Sequence, residues 1–412
     1  MLGNATPREA RVEKRNLAIF FFAGCFSTMT DGCHVRACQD IEMLLALGWR
    51  VAVYSYRNHH QWPWNAKGIE TFRARFPGVD LVLDDWNWKL AFIQKLKGLI
   101  AYLGSWPATR ALRTWLPMLT PEFDRLQRDP DLKLALVSYP WGISHLNGSP
   151  GPRMIVDTHD LAALELIGDN PSGQPDTRSM LVLKRELFYL GQADEVWSIS
   201  YSEGQFLKSL LEGERVRIVP PSLRSWNMDA ATDVPPVYDL VFVGSNNRWN
   251  GDAISGFLSA YGGWNLPLKI AIAGSVCRDR RLSAQNGVEL LGFVDDLAAL
   301  YAQARAAICP VEGTGTKIKL IEALSAGRPV FAAPGALKGL LPGYENCVLP
   351  LERRTVATLL GDPAALAAAQ AAARHYARAY SFDRVVAETS EGLAGDPALA
   401  GASPSIPAIS SR

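Results

Sequence analysis

One stretch, from Ala306 to Ala333, restricts the fold more than any other. It reads as apolar run, glycine loop, amphipathic helix, tight turn and apolar run. Ala306-Ala307-Ile308-Cys309-Pro310 is short and apolar, which predicts a strand buried on both faces of a parallel sheet. Gly313 and Gly315, on either side of Thr314, let the backbone turn sharply and approach a ligand closely. A helix is expected from about Thr316. Gly327 ends it, and Arg328-Pro329 leads into the next strand, Val330-Phe331-Ala332-Ala333. The first-turn N–H groups of such a helix have no intrahelical partners and sit at the positive end of its dipole. They favour an anion in the loop.

On a helical wheel Lys319 and Glu322 share a face, while Leu320, Ile321 and Leu324 take the other side, toward a core. A cation and a carboxylate therefore emerge together behind the helix start. A phosphate diester bearing a ribose fits them, with Lys319 meeting the charge and Glu322 accepting from ribose hydroxyls. Lys317 falls nearer the apolar arc, but its long stem can reach over the lip from the first turn. Taken alone, a K-x-x-E pair reads as a solvated surface contact worth little. Its setting behind a glycine loop is what raises it.

The rest of the chain repeats this alternation. Asn16 to Phe22 is a strand run, followed by a loop through Asp31-Gly32, a helix expected over Val35–Ala46 and the strand Arg50 to Tyr56. That order makes a right-handed parallel unit. Its loop lies at the carboxyl edge of the sheet, where α/β proteins bind ligands, and Gly32 there permits close approach to a phosphate. Residues 57–85 lack a clear period apart from the short strand Asp80 to Leu83. Further strands are expected at Leu132 to Tyr139, Arg153 to Thr158 (running into His159-Asp160), Glu195 to Ser200 and Val216 to Pro221. A second series begins at Tyr238, and its strands end at Gly244-Ser245, Gly274 and Gly292. The fold class is α/β, with two doubly wound Rossmann-like domains facing a central cleft, a common ligand site.

Composition narrows the function. At 412 residues, 48% hydrophobic and 20% charged, the chain fits an ordinary soluble enzyme. A net charge of +1 gives no general case for nucleic acid. Cys25, Cys33, Cys38, Cys277, Cys309 and Cys347 match neither a disulfide scaffold nor a zinc pattern. Asp84-Asp85 falls in a polar loop and Asp295-Asp296 opens a helix, so both pairs are expected to be structural and no metal site is expected. No signal segment or bilayer-spanning run is legible, which predicts a cytoplasmic protein.

The run Gly313-Thr314-Gly315-Thr316-Lys317-Ile318-Lys319-Leu320-Ile321-Glu322-Ala323, continued through Gly327-Arg328-Pro329-Val330, resembles a known donor site. It is the signature of the retaining GT-B glycosyltransferases of family 4, the "group 1" glycosyltransferases, in the subgroup with G-[ST]-G-T-x-x-K-x-x-E-A. Ala193 to Glu203 and Ile218-Val219-Pro220-Pro221 resemble the family as well. The resemblance runs from about Asn16 to Leu393 and is stronger in the second half. It implies a hexosyltransferase-type enzyme, independent of metal, that moves a sugar from a nucleotide-sugar donor to an acceptor hydroxyl with retention, in glycan or polysaccharide assembly. The donor is a co-substrate, and no bound cofactor is implied. Two other readings stay open: a non-catalytic scaffold that binds nucleotide sugars, and a sugar-nucleotide epimerase of similar shape.

The resemblance also assigns residues. Glu322 matches the family's ribose-binding glutamate. The family's second glutamate falls at Thr314 here, with Glu312 the nearest carboxylate, and this departure bears on the choice of sugar. Gly32, Gly313, Thr314, Gly315, Thr316, Lys317 and Lys319 would surround the donor phosphates. Gly244, Ser245 and Arg248 would do so from the second domain's first strand, without the family's usual spacing. Phe293 and Val294 would line the base pocket, and Asp31 and His34 would face the acceptor. His159 matches a family histidine beside the donor sugar, although from spacing alone a loop-holding histidine is an equal reading. His159 and Lys319 are the expected catalytic residues. Leaving-group charge would meet Lys317 or Lys319, helix N–H groups and Arg248. The departing phosphate would take the acceptor proton, which suits a chain with no evident protein base. The expected division is an arm (1–15), an acceptor domain (16–221), a linker (222–237), a donor domain (238–380) and a disordered tail (395–412), with the helix 381–394 packing back on the first domain.

A last feature lies at residues 86–121, where Asp and Glu are missing until the end while Lys89, Lys95, Lys97, Arg110 and Arg113 accompany Trp86, Trp88, Trp106 and Trp115. Phe92, Ile93, Leu96, Leu99, Ile100 and Leu103 form one helical arc. Tryptophan and basic residues favour an anionic headgroup region. This predicts peripheral attachment at the inner face of the cytoplasmic membrane and a glycan or lipid-linked acceptor. An ordinary helix packed on its own domain has the same pattern, and the two differ in where the arc points.

Overall fold

The computed structural model describes residues 16–29, 31–103, 120–146, 151–170, 172–223, 235–284, 287–313 and 315–394. The expected arm 1–15, most of the linker (224–234) and the tail 395–412 lie outside these residues. The first domain runs β1 (Leu17–Phe21), α1 (Gly32–Ala46), β2 (Arg50–Tyr56), α2 (Ala66–Arg75), β3 (Asp80–Asp84), α3 (Trp88–Leu103), α4 (Pro121–Gln127), β4 (Leu132–Ser138) and β5 (Arg153–Asp157). It continues with α5 (Ala162–Asp169), α6 (Thr177–Leu190), β6 (Glu195–Ser198), α7 (Tyr201–Leu210) and β7 (Val216–Ile218). Its seven strands are all parallel, in the order β3-β2-β1-β4-β5-β6-β7.

The second domain has β8 (Tyr238–Val243), α8 (Arg248–Tyr261), β9 (Ile270–Ala273), β10 (Val288–Gly292), α9 (Leu297–Ala302), β11 (Ala304–Cys309) and α10 (Ile318–Ser325). Then come β12 (Val330–Ala332), β13 (Val348–Pro350), α11 (Arg353–Gly361), α12 (Pro363–Ala377) and α13 (Phe382–Ala394). Its six parallel strands are ordered β10-β9-β8-β11-β12-β13. Both sheets are doubly wound. In each, the order reverses beside the first strand, between β1 and β4 and between β8 and β11, which opens a crevice at the carboxyl ends.

Period-two alternation in β1 explains the layers. Ala18 and Phe20 face the apolar cluster beneath α1, while Leu17, Ile19 and Phe21 face the cluster on the other side. Three helices differ from expectation. α1 starts at Gly32 rather than Val35, with extended Asp31 in front of it. α10 starts at Ile318 rather than Thr316, which makes Lys317 the residue before the helix. α2 fills a stretch with no legible period, because only Gly68 and Phe72 are buried. The Asn65 side chain starts it by accepting from the Gly68 N–H at 2.8 Å.

The chain passes between the domains twice at one place. Leu223 donates its N–H to Tyr380 at 2.8 Å, and Phe382 donates to Leu223 at 2.9 Å. α13 then buries Val385 and Leu393 in the first domain's core beside Ala37, Ile41 and Trp197.

α3 divides its apolar residues between two faces. Leu90 and Ala101 are buried and Ile93 and Ile100 pack on the core. Trp88, Phe92, Leu96, Leu99 and Leu103 are exposed. Lys97, expected among the surface cations, is instead buried and donates to the Ser144 carbonyl. Burial pulls its pKa down to about 7. Position 97 follows Ile93 and precedes Ile100 and Ala101 on the inward face, so its stem fills the space of an apolar side chain. Trp106, Arg110, Arg113 and Trp115 lie outside the described residues.

Arg36 ties α1 to the centre of the sheet. Its Nε donates to Asp157 Oδ2 at 2.6 Å and lies 3.2 Å from Asp40 Oδ1, and an Nη donates to the Pro220 carbonyl at 3.1 Å. All three charged side chains are fully buried. Burial alone would raise the Asp157 carboxyl, but the Arg36 guanidinium outweighs it and holds the carboxyl low. Asp40 goes the other way: burial dominates Arg36 and pushes its carboxyl well above the usual range. One cation therefore serves one carboxylate. Arg36→Met, which strands the Asp157 charge in an apolar core, should cost on the order of 3–5 kcal/mol. Asp40→Asn replaces a group whose burial already disfavours its charge and should cost less than about 1 kcal/mol. Urea unfolding of the two variants against the native chain checks the contrast.

Candidate active site

The carboxyl ends of both sheets open into one cleft of about 420 Å³. The first domain contributes Met29, Asp31, Gly32, Val35, Asp160 and Glu165 to its walls. The second contributes the β8–α8 turn (Val243, Gly244, Ser245, Asn247, Trp249, Asn250) and the β11–α10 loop through Glu322. Thr314 lies outside the described residues.

The glycines of the loop have separate reasons. Gly313 has φ +114°, a backbone state that other residues rarely adopt. Gly315 lies so close to the Asp160 carboxylate of the first domain that a Cβ would overlap it. Thr316 donates to the Ile199 carbonyl across the cleft at 3.2 Å. Glu312 is anchored, its Oε2 accepting from the Gly335 N–H at 2.7 Å.

The lysines behind the loop are drawn out of water. Lys317 Nζ donates to the Gly315 carbonyl at 2.6 Å; burial lowers its pKa, against Asp160. Lys319 Nζ donates to Asn250 Oδ1 and stands 4.8 Å over the Phe242 ring. Burial lowers its pKa to about 8. Beside it, burial raises Glu322 to about 7, with Lys319 opposing. The pair shares a face as the wheel predicts, and both line the cleft.

The structure brings Gly32, Asp31, Gly244, Ser245, Gly313, Gly315, Thr316, Lys317, Lys319 and Glu322 together on the walls. Other expected residues sit elsewhere. His159 is 3% exposed, in a left-handed conformation at φ 54°, with its N–H donating to Asp157 Oδ1 at 3.1 Å. Burial lowers its pKa to about 4, so the ring is neutral. The left-handed turn sends this ring inward and leaves the wall to Asp160. His34 is fully buried and meets Trp62 edge-on, with ring centres 4.9 Å apart. Arg248 pairs with Asp169 of the first domain at 3.4 Å, while its neighbours Trp249 and Asn250 reach the wall. Phe293 is 77% exposed, and neither it nor Val294 lines the cleft. Glu165, Asn247 and Trp249 are among the wall residues that sequence reasoning left out. Asp160 is the second member of the His159-Asp160 pair, and such a pair lies beside the donor sugar in the family that the sequence resembles.

Among the described residues, one cluster, Asp40–Asp157–His159, has its ligand atoms close enough to hold a metal ion. The Arg36 guanidinium already stands between its two carboxylates. Of the paired aspartates, Asp84 accepts from the Tyr54 hydroxyl at 2.9 Å and Asp296 caps α9 through the Ala299 N–H.

Comparison with known proteins bears on the class. Residues 238–372 match the family described as Glycosyl transferases group 1. No curated protein sequence matches the chain. Sucrose-phosphate synthase from Thermosynechococcus elongatus is similar in structure over 92% of this chain and 98% of its own, with TM-score 0.63 and 16% identity. TarM from S. aureus, solved in complex with UDP, gives TM-score 0.59 and 9% identity over 92% of this chain and 99% of its own. WaaG, a glycosyltransferase involved in lipopolysaccharide biosynthesis, gives TM-score 0.51 and 13% identity over 92% and 100%. The fold is GT-B, two Rossmann-like domains around a cleft. The family match lies within the second domain, and the structural similarity shows the fold.

If Lys319 must be charged and Glu322 ionised to hold a nucleoside diphosphate, affinity should be highest between about pH 7 and 8. It should fall below pH 7 as Glu322 takes up a proton, and above pH 8 as Lys319 loses one. Titration calorimetry with UDP across pH 6–10 reads this. Glu322→Gln should flatten the acid limb and Lys319→Met the alkaline limb.

Proposed function

We propose that the protein is a metal-independent, retaining glycosyltransferase that transfers a hexose from a nucleotide-sugar donor to an acceptor hydroxyl in glycan or polysaccharide assembly. The observation that carries this reading is the Lys319–Glu322 pair, half-sunk behind a glycine loop and facing Asp31, Gly32 and Asp160 across the cleft. Glu322 accepts from the ribose. Lys319, Lys317 and the N–H groups at the start of α10 hold the diphosphate, with no reorganisation needed when charge develops. The bond from the anomeric carbon to the phosphate oxygen breaks, and the acceptor oxygen bonds to that carbon on the same face. Its proton passes to the departing phosphate oxygen. Neutral His159 supports the loop that presents Asp160 to the sugar. The two low-pKa lysines become better cations as the diphosphate arrives, because its charge offsets the desolvation that lowered them.

A panel of nucleotide sugars tests this, with transfer and product anomer read by NMR. Activity should persist in EDTA, and a full loss restored by manganese or magnesium would overturn metal independence. Glu322→Ala should weaken nucleoside-diphosphate binding by about 1–3 kcal/mol, and unchanged affinity would remove it from the site.

The acceptor side of the proposal is a membrane surface. Trp88, Phe92, Leu96, Leu99 and Leu103 are exposed on α3 with Lys89 and Lys95 beside them, and Met180 and Leu181 are exposed on neighbouring α6. No single helix among the described residues is long and apolar enough to cross a bilayer, so contact would be peripheral. Each basic residue near an anionic surface contributes about 1 kcal/mol. Lys89→Glu with Lys95→Glu should therefore reduce sedimentation with phosphatidylglycerol liposomes by at least tenfold at low salt. Native protein that binds UDP but no liposomes at low salt would point to a soluble acceptor instead.

A further inference from the structure

Four non-glycine residues among those described have positive φ, and three stand at the first domain's carboxyl edge: Met29, Tyr139 and His159. Such conformations are costly and persist only where their surroundings enforce them. Tyr139 (φ 67°) and His159 (φ 54°) follow the adjacent strands β4 and β5. Asp157 holds both, its carbonyl accepting from the Tyr139 N–H at 2.7 Å and its carboxylate from the His159 N–H at 3.1 Å. The Tyr139 hydroxyl lies beside the Cys33 thiol, next to the cleft-lining Gly32.

The consequence of this strain is an ordered stack of rings. Tyr139 lies 4.4 Å from His159 with planes 18° apart, and 4.4 Å from Trp141 with planes 14° apart. Two rings each near-parallel to a third at stacking distance must lie on its opposite faces. The inner end, His159, is buried next to the cleft residue Asp160. The outer end, Trp141, is 38% exposed. A stack serving only the core would be covered at both ends, since an open indole forfeits burial.

We propose that Trp141 is an acceptor-binding residue, on whose open face a pyranose ring of the acceptor stacks. The inference rests on the glycosyl-transfer reading for the word acceptor but not for the ring. The C–H bonds on one face of a pyranose carry slight positive charge and meet the negative face of an aromatic ring, while the hydroxyls stay on the rim for water or carboxylates. A nucleobase also stacks, but the nucleotide is assigned to the second domain, beside Glu322. The middle ring of the stack, Tyr139, lies beside Cys33, the neighbour of cleft-lining Gly32, so a ring stacked on Trp141 would be held at the same edge of the first domain. The acceptor class is thus a saccharide or glycoconjugate that already carries sugar, rather than a simple alcohol.

Fluorine NMR of the protein labelled with 5-fluorotryptophan tests the ring contact without knowledge of the acceptor. The signal missing in Trp141→Phe identifies the residue. Titration uses octyl glucoside, octyl galactoside, octyl mannoside, octyl N-acetylglucosaminide, maltose and cellobiose, with glycerol, octanol and uridine as controls. A saturable shift of the Trp141 signal with at least one saccharide, absent with the controls, is the expected result. No shift with any saccharide, or an equal one with glycerol, octanol or uridine, overturns the proposal. With any saccharide that accepts sugar, Trp141→Ala should raise the acceptor KM at least tenfold, and Trp141→Phe should restore most of the loss. An unchanged KM also overturns it. Failure of the transferase reading would look different: native protein would transfer nothing from any donor, whatever the fluorine signal does.

Discussion

A parallel sheet sends every strand out through the same edge, and this constraint organises the whole molecule. Where strand order reverses beside β1 and β8, successive connections leave in opposite directions, and the edge between them is left open. Two such openings face each other here. Asp31, Gly32, Asp160, Ser245, Gly313 and Lys319 come from distant parts of the chain, yet each lies in the segment that follows the carboxyl end of a strand. Their meeting is a consequence of topology before it is one of side-chain chemistry.

The electrostatics of the cleft follow from the same geometry. Helix starts and strand ends displace water, so the lysines and Glu322 are drawn toward their neutral forms. The second domain supplies the cations, and the first supplies Asp31, Asp160 and Glu165. An anion is therefore attracted to one wall and repelled by the other. A diphosphate would be oriented before any directional hydrogen bond forms, with its sugar turned toward the carboxylates.

Much of this was legible in the sequence. Apolar runs ending in glycine announce buried parallel strands, and the spacing of Lys319 and Glu322 places them on one helix face whatever the tertiary structure. The failures have a common cause: each depends on contacts that no local pattern encodes. α2 buries too little to impose a period. Lys97 lies inward because the neighbours at 93, 100 and 101 do, and the Ser144 carbonyl waits there. His159 drew attention as the residue with chemistry, but Asp157 twists it into a left-handed turn that gives the cleft to Asp160. Phe293 looked like a pocket residue and is exposed, while Trp249, in the first turn of α8, lines the wall.

The absence of a side chain at Gly315 has a consequence for modularity. The Asp160 carboxylate occupies the space that any larger residue would need, although the two positions belong to different domains and lie far apart in the chain. The second domain therefore carries, in its own loop, an imprint of the first domain it faces. A chimera that joined it to another first domain would inherit a mould cut for Asp160. In lineages built on this pairing, positions 160 and 315 would be expected to change together or not at all.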